Sequence, residues 1–398
     1  FMLGDLNDRL AEVSRLDIMS SVHDKAMAYF QSLPATDVTD EALVQRAKAL
    51  ARIGIVRTEL GRLPQALESY EAAGLISARL AAAAPTDIPR QLAYADVLSF
   101  IGMTRWYQGD LDGAQQGFDQ ADKVLTAARR LAPTDTDVLF ALSGVDNNVG
   151  HVLEARGRME EAEGHYRRML EATQKLGAQA PDDMAWQNQL GLAHNNLAKM
   201  AVLRGDLAAA LRDYRADVAI QARMAARDAR NNAQRERLLI SRATLGRTLA
   251  LAGQLDEGAE LTAAALADAE ALHAMEPKST LYQEDIGLYA TQLARLRRLQ
   301  DDADAATRLT ERSLQMLQLM LKQSPDQPGW RRELAEALVE QAEQAIASGQ
   351  RDAAAAPLHQ ALAILEPQLL QNPNDRAVVL ATVSARLGLA SLAPDSAD

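Results

Sequence analysis

Six glycines, Gly61, Gly109, Gly157, Gly205, Gly253 and Gly349, stand at multiples of 48 residues from one another, and Asp301 fills the single vacancy in the series. A period held without insertion over most of a chain marks stacked copies of one supersecondary unit, each burying its apolar face on its neighbours. That requirement constrains the fold more tightly than length, which for 398 residues would otherwise suggest two or three separate cores.

A second series of breakers runs half a period later: Pro85, Pro133, Pro181, Pro277, Pro325 and Pro373, with Ala229 as its exception. Segments such as Leu111 to Ala132 lie between the two series, apolar at helical spacing. They suffice for about six turns, or roughly 30 Å at about 1.5 Å per residue. Each repeat is therefore expected to be a pair of antiparallel helices. Two residues after each closing position come Asp87, Asp135, Asp183, Asn231, Ser279, Gln327 and Asp375. All but Gln327 can accept from the free amides of a first helical turn.

Seven residues before each turn residue only small side chains occur: Gly54, Gly102, Gly150, Ala198, Gly246, Ala294 and Ala342. Five after it come Ala66, Ala114, Ala162, Ala210, Gly258, Ala306 and Ala354, as needed where two helix backbones cross closely. Four further on, Tyr70, Phe118, Tyr166 and Tyr214 supply a bulky knob that declines to Thr262, Thr310 and Leu358, so weaker packing is expected toward the C-terminus. An alphabet with 48% hydrophobic but only 4% aromatic residues favours helices over strands.

Small residue, turn glycine, alanine, aromatic and closing proline follow in the order of the tetratricopeptide pattern, and the chain resembles that family. The usual period there is about 34 residues, so each helix here is expected to carry about two extra turns. The stretch from Pro181 to Tyr214, PDDMAWQNQLGLAHNNLAKMAVLRGDLAAALRDY, is similar to long-period bacterial arrays at the C-terminal end of large signalling or defence proteins, and the opening Phe1 to Phe30 is similar to the segment joining such arrays to what precedes them. The expected fold is an all-α, right-handed α-solenoid of antiparallel helical hairpins, a tetratricopeptide-like superhelix with lengthened helices. Residues 1–38 are expected to be a helical cap or joining segment, 39–373 seven repeats, and 374–398 a capping helix with a frayed tail. Phe1 is not an initiator, so an upstream part bearing an anchor, a signal or another domain is expected.

With 42 Lys and Arg against 54 Asp and Glu, the formal charge is −12, which opposes binding to phosphate backbones and anionic headgroups. Nucleic acid is not an expected partner. No stretch has the roughly 18 apolar residues of a membrane span, so no direct membrane insertion of this fragment is expected. Cysteine is absent, which removes disulfides and thiolate chemistry and leaves bacterial cytoplasm and periplasm both open.

The resemblance implies that the first helix of each repeat lines a concave groove, with the residue after the small crossing position pointing into it. That position reads Ile55, Met103, His151, Lys199, Arg247, Arg295 and Glu343. One helical turn earlier come Ala51, Ser99, Asn147, Asn195, Ala243, Thr291 and Val339, on the same face. Arg298 adds a charge, and Trp106 and Tyr107 lie at comparable depth in the second repeat. The expectation is a groove apolar and aromatic at its N-terminal end and basic through its middle, suited to an acidic or carboxylate-bearing peptide. Against it stands the alternative that the basic ladder pairs with Glu and Asp of neighbouring helices. The asparagines Asn148 and Asn196 are expected to bond between adjacent helices, and Asp217 to sit in a structural ion pair. Trp186, Tyr282 and Trp330 share one repeat position and are assigned to packing.

His151 and His194 are the one histidine pair able to approach across neighbouring helices, without a carboxylate to complete a metal set. No phosphate loop, nucleophile elbow or HExxH segment occurs. No catalytic residue, metal or cofactor is expected, and any enzyme activity would reside upstream. A protein-binding module is the leading reading, with a sensor array controlling an attached effector domain and a homo-oligomerisation scaffold as alternatives.

Overall fold

The computed structural model describes residues 39–392, so the expected N-terminal cap of residues 1–38 and the tail after residue 392 lie outside the described residues. The described residues form fifteen α-helices and no strand. In chain order they are α1 (Asp40–Glu59), α2 (Leu63–Ala83), α3 (Ile88–Tyr107), α4 (Leu111–Leu131), α5 (Thr136–Ala155), α6 (Met159–Gln179), α7 (Met184–Leu203), α8 (Leu207–Arg227), α9 (Asn232–Leu251), α10 (Leu255–Met275), α11 (Thr280–Leu299), α12 (Ala303–Gln323), α13 (Pro328–Ala347), α14 (Arg351–Gln371) and α15 (Arg376–Leu392). First helices other than α15 have 20 residues and second helices 21, the lengthened hairpin that the period implies.

The two breaker series act by different means. Every turn glycine has positive φ, between 69° and 79°, and Asp301 adopts the same left-handed conformation at 62°. The following N–H then donates to the carbonyl five residues back, as in Arg62 to Arg57 at 2.8 Å, Asp206 to Ala201 at 2.9 Å and Asp302 to Arg297 at 2.9 Å. This is the Schellman closure, which satisfies carbonyls that a helix end leaves orphaned. At the other breaker the residue before the closing position is extended, for example Ala84 at φ −137°, ψ 71° and Asp228 at φ −138°, ψ 90°. Proline enforces that conformation on its predecessor, yet Asp228 adopts it before Ala229. Five of the expected caps bond as anticipated: Asp87, Asp135, Asp183, Asn231 and Asp375 accept from an amide three residues on. Ser279 does not, which corrects that expectation. Asp110, Asp206 and Asp302 cap second helices as well, immediately after the turn residue. Helix α14 continues through Pro357 and Pro367 where a sequence reading would place a break.

The chain divides into two compact units, one through Met200 and the other from Ala201. The first contains hairpins α1–α2, α3–α4 and α5–α6, and its apolar centre includes Leu50, Ile53, Tyr70 and Val97. The second contains hairpins α9–α10, α11–α12 and α13–α14 with α15, centred on Leu239, Leu272 and Ile286 and on Leu317, Leu338 and Leu358. Within hairpins the knob lies against the small residue. A Cβ on Gly54 would stand 2.5 Å from Cε1 of Tyr70, and one on Gly102 2.7 Å from Phe118. The knobs are equally buried in both units, with Thr262 and Leu358 at 0% and Thr310 at 2% exposure, so the expected weakening at the C-terminal end does not occur in burial.

Two consequences can be measured. Replacing Gly150 by Ala drives a methyl into the Tyr166 ring and should destabilise by about 1–3 kcal/mol. Gly144→Ala in the same helix meets nothing within 4 Å and should stabilise by up to about 1 kcal/mol through helix propensity; urea midpoints moving in the same direction would contradict the crossing geometry. Asp301→Gly should raise the urea midpoint by the equivalent of about 0.5–1 kcal/mol, since it removes the cost of a left-handed non-glycine residue.

Candidate partner-binding groove

Residues 44, 48, 51 and 55 follow one another at intervals of four, three and four, so they share one face of α1. Val44, Lys48, Ala51 and Ile55 form one wall of a cleft of about 600 Å³ whose other wall is the Pro89, Ala93, Asp96 and Phe100 side of α3. Its floor is buried Ala47, Ser77, Leu80 and Val97. The cleft opens between the neighbouring first helices α1 and α3, whose starts are joined by Arg90 and Asp40. Its aromatic wall is rigid, because the Phe100 ring stacks on the Tyr70 knob with centroids 5.1 Å apart and planes 16° from parallel. Two cations stand on its rim: Lys48 and Arg52 are exposed and make no ion pair among the described residues. Arg90 is held by Asp40 at 2.9 Å and Asp87 at 3.3 Å.

Ala51 and Ile55, two of the positions expected to face a groove, line this cleft, and its aromatic member is Phe100. Trp106 and Tyr107, at the end of α3, do not line the cleft, although Tyr107 is 55% exposed. Phe100 was missed because it sits one residue after Ser99, the position read as facing the groove, and only the knob below it shows which way its ring turns.

Further along the first unit the groove face is engaged with the chain itself. Lys199 on α7 pairs with Glu154 on α5 at 2.6 Å. The Tyr166 hydroxyl donates to Glu154 at 3.1 Å and lies 3.0 Å from Nδ1 of His151. Burial pushes the Glu154 carboxyl up, but hydrogen bonds from His151, Lys199 and Tyr166 with the Lys199 charge outweigh it and hold the group at about 2. Asn196 Nδ2 donates to Asn147 Oδ1 at 2.8 Å and ties α7 to α5 as expected of Asn196, whereas Asn148 Oδ1 accepts from Asn147 Nδ2 at 3.2 Å within α5, which corrects the expectation for Asn148. Asn195 is half-buried and makes no side-chain hydrogen bond among the described residues.

In the second unit, Arg298 grips Glu340 with two hydrogen bonds of 2.9 and 3.0 Å and also reaches Glu343. Glu340 is fully buried, so Arg298 is the countercharge of a buried carboxylate. Arg295 lies 3.6 Å from the same Glu340 while 51% exposed. Arg247 is exposed and makes no ion pair among the described residues. Asp217, 3% exposed, accepts from the Ser241 hydroxyl at 2.7 Å and from Gln221 at 3.1 Å, and Gln221 accepts in turn from Gln234 at 2.7 Å. Trp330 donates its indole N–H to Glu284 one repeat earlier, at 2.9 Å, and Tyr282 is buried at 5% exposure. Among the described residues no group of three or more His, Asp or Glu side chains is arranged to hold a metal ion, and no helix is long and apolar enough to cross a membrane.

No family model matches the sequence, and no curated protein does. Solved structures do. The apo quorum sensor NprR of B. thuringiensis superposes with a TM-score of 0.58 at 11% identity, over 90% of this chain and 84% of that one. A signal-transduction ATPase with a tetratricopeptide repeat sensor, PH0952 of Pyrococcus horikoshii, gives 0.57 at 12% identity over 86% of this chain but only 46% of its own. The apo form of RapI gives 0.51 at 10% identity, over 81% of this chain and 98% of that one. The described residues have the all-α fold of tetratricopeptide-type arrays of antiparallel helical hairpins.

Proposed function

We propose that the chain is a protein-interaction module that seats a peptide segment of a partner against the first-helix face, with the α1–α3 cleft as its anchor point. The observation that carries this reading is the cleft itself: about 600 Å³, mostly apolar apart from Ser77 and Asp96, with Lys48 and Arg52 on its rim and unpaired among the described residues. Pockets of that size with few polar groups are where small apolar groups gain most from leaving water. A segment with a large apolar side chain next to Asp or Glu fills the floor and meets the rim charges together.

The basic residues contribute unequally to such binding. Lys199 and Arg298 hold the chain's own carboxylates, so a partner would have to displace Glu154 or leave Glu340 buried and uncompensated. Arg247, with Arg295 as a weaker second, is the cation offered outward. Trp106, Tyr107, His151, Asn147 and Asn195 are then flanking residues of the same face. A sensory use of the cleft is the second reading, favoured by fold likeness to two proteins described as sensors. We propose no catalytic role for the described residues.

Selection of a random peptide library on the whole chain, followed by fluorescence anisotropy, tests the proposal. Selected peptides should carry an apolar residue beside an acidic one, and Lys48→Glu or Phe100→Asp should weaken them by at least about tenfold, or about 1.4 kcal/mol. Peptides that bind both variants as well as the parent chain would refute the cleft. A mass that doubles with concentration in light scattering, and a dimer abolished by Phe100→Asp, would assign the cleft to self-association instead.

A further inference from the structure

The second unit contains a group of carboxyls that the binding reading does not use. Glu284 and Asp285 on α11 and Glu333 and Glu336 on α13 lie within electrostatic reach of one another, joined by Glu236 on α9. These residues occupy the early turns of consecutive first helices, and Glu236 and Glu284 repeat the position that Val44 has in the first unit's cleft. Glu333 is 4% and Asp285 7% exposed, while Glu236, Glu284 and Glu336 are half-buried above them.

One cation serves the group from within. Arg332 reaches Glu333 Oε1 at 3.2 Å and Glu336 at 2.7 Å, and the Trp330 indole donates to Glu284. Arg235 and Arg237 flank Glu236 on α9, and the Tyr289 hydroxyl bonds Asp285. After all of these are placed, Glu333 Oε2 and Asp285 Oδ2 are still buried without a hydrogen-bond partner among the described residues. A buried carboxylate oxygen left unpaired costs the folded state free energy, and natural chains concentrate such costs where a ligand completes the site.

We propose that this cluster is a receiving site for a lysine or arginine side chain of a protein partner. A cation fits because the two buried, unpaired oxygens are acceptors surrounded by excess negative charge, beneath a half-exposed rim of Glu284 and Glu336, and any proton that it displaces passes to solvent. The site is separate from the α1–α3 cleft and does not rest on it.

The electrostatics give the expected pH dependence. Burial, then the charge of Glu284, pushes Glu333 up to about 8, and burial outweighs the Tyr289 hydrogen bond to raise Asp285 to about 6. At neutral pH Glu333 is therefore largely protonated, and a bound ammonium or guanidinium must release that proton. The same shift acts on folding. A carboxyl whose folded pKa exceeds its unfolded value stabilises fully below the unfolded value and loses that contribution as pH rises through the folded one. Glu333→Gln, which mimics the neutral form, should therefore match the parent chain in urea midpoint near about pH 4.5 and exceed it increasingly toward about pH 8.

The test is calorimetric titration of the whole chain with a tetralysine peptide, in buffers of different ionisation enthalpy. Near about pH 7 binding should release close to one proton per site, falling toward zero above about pH 9 as Glu333 ionises unaided. Glu333→Gln should abolish the release, and Asp285→Asn with Glu333→Gln should weaken binding at least about fivefold. Glu284→Gln with Glu336→Gln, at the half-exposed rim, should also weaken binding and serves if the buried pair fails to fold. Lys48→Glu, which disables the other cleft, should leave this binding unchanged. Absence of tetralysine binding, or binding without proton release, or undiminished binding to the carboxyl variants, would overturn the proposal.

Discussion

Where the two helices of each of the first three hairpins cross, a knob ring stands against a glycine: Tyr70 on Gly54, Phe118 on Gly102 and Tyr166 on Gly150. At Gly102 and Gly117 the approach is close enough that a Cβ on Gly117 would lie 2.9 Å from the Gly102 backbone, with the Phe118 ring alongside. Burying that ring contributes on the order of 1.5–3 kcal/mol, and it does so only because the facing helix yields a methyl group. Isolated hairpins of this kind would still expose their outer faces, so each relies on its neighbours for the remaining burial. The 48-residue period follows from this contact: an insertion between the small position and the knob would rotate one helix against the other and bring a side chain into the crossing.

The turns keep that register. Six glycines and Asp301 all take the left-handed conformation, and the Schellman bond then fixes how far the second helix starts from the first. That Asp301 adopts it is informative about cause. The turn conformation is imposed by the packing of the hairpin, and glycine is the residue that meets it with least strain.

Much of the fold was legible because its determinants are local and repeated. Breakers, small positions, knobs and five aspartate or asparagine caps can each be read from one repeat and checked against six others. The groove was legible only in outline. Ile55 and Ala51 fell on the right face because helical spacing is fixed, but the partner of each charge was not, since ion pairing depends on which neighbour's side chain reaches across. Lys199 meets Glu154 from the previous repeat and Arg298 meets Glu340 from the next, 45 residues back and 42 residues on. Nothing in a single repeat encodes those choices. Phe100 was missed for a related reason: its orientation comes from stacking on Tyr70, a residue of the preceding hairpin.

The two units use the same first-helix face in chemically opposite ways. In the first, position 44 and its equivalents read Val44, Leu92, Phe140 and Asn188, and Lys48 and Arg52 are unpaired among the described residues, so on the proposed reading desolvating a partner's apolar group supplies the free energy and charge supplies selectivity. In the second, the equivalent positions are Glu236, Glu284 and Arg332, the last paired with Glu333 and Glu336, and the folded chain already carries part of the desolvation cost of buried Glu333 and Asp285. A cationic partner then meets acceptors that are already dehydrated, but it must also displace the proton that Glu333 holds at neutral pH. The internal pairs Lys199–Glu154 and Arg298–Glu340 hold the helices on either side in place, so the rigid parts of the face are those whose charges are satisfied. Recognition then falls to the places where they are not.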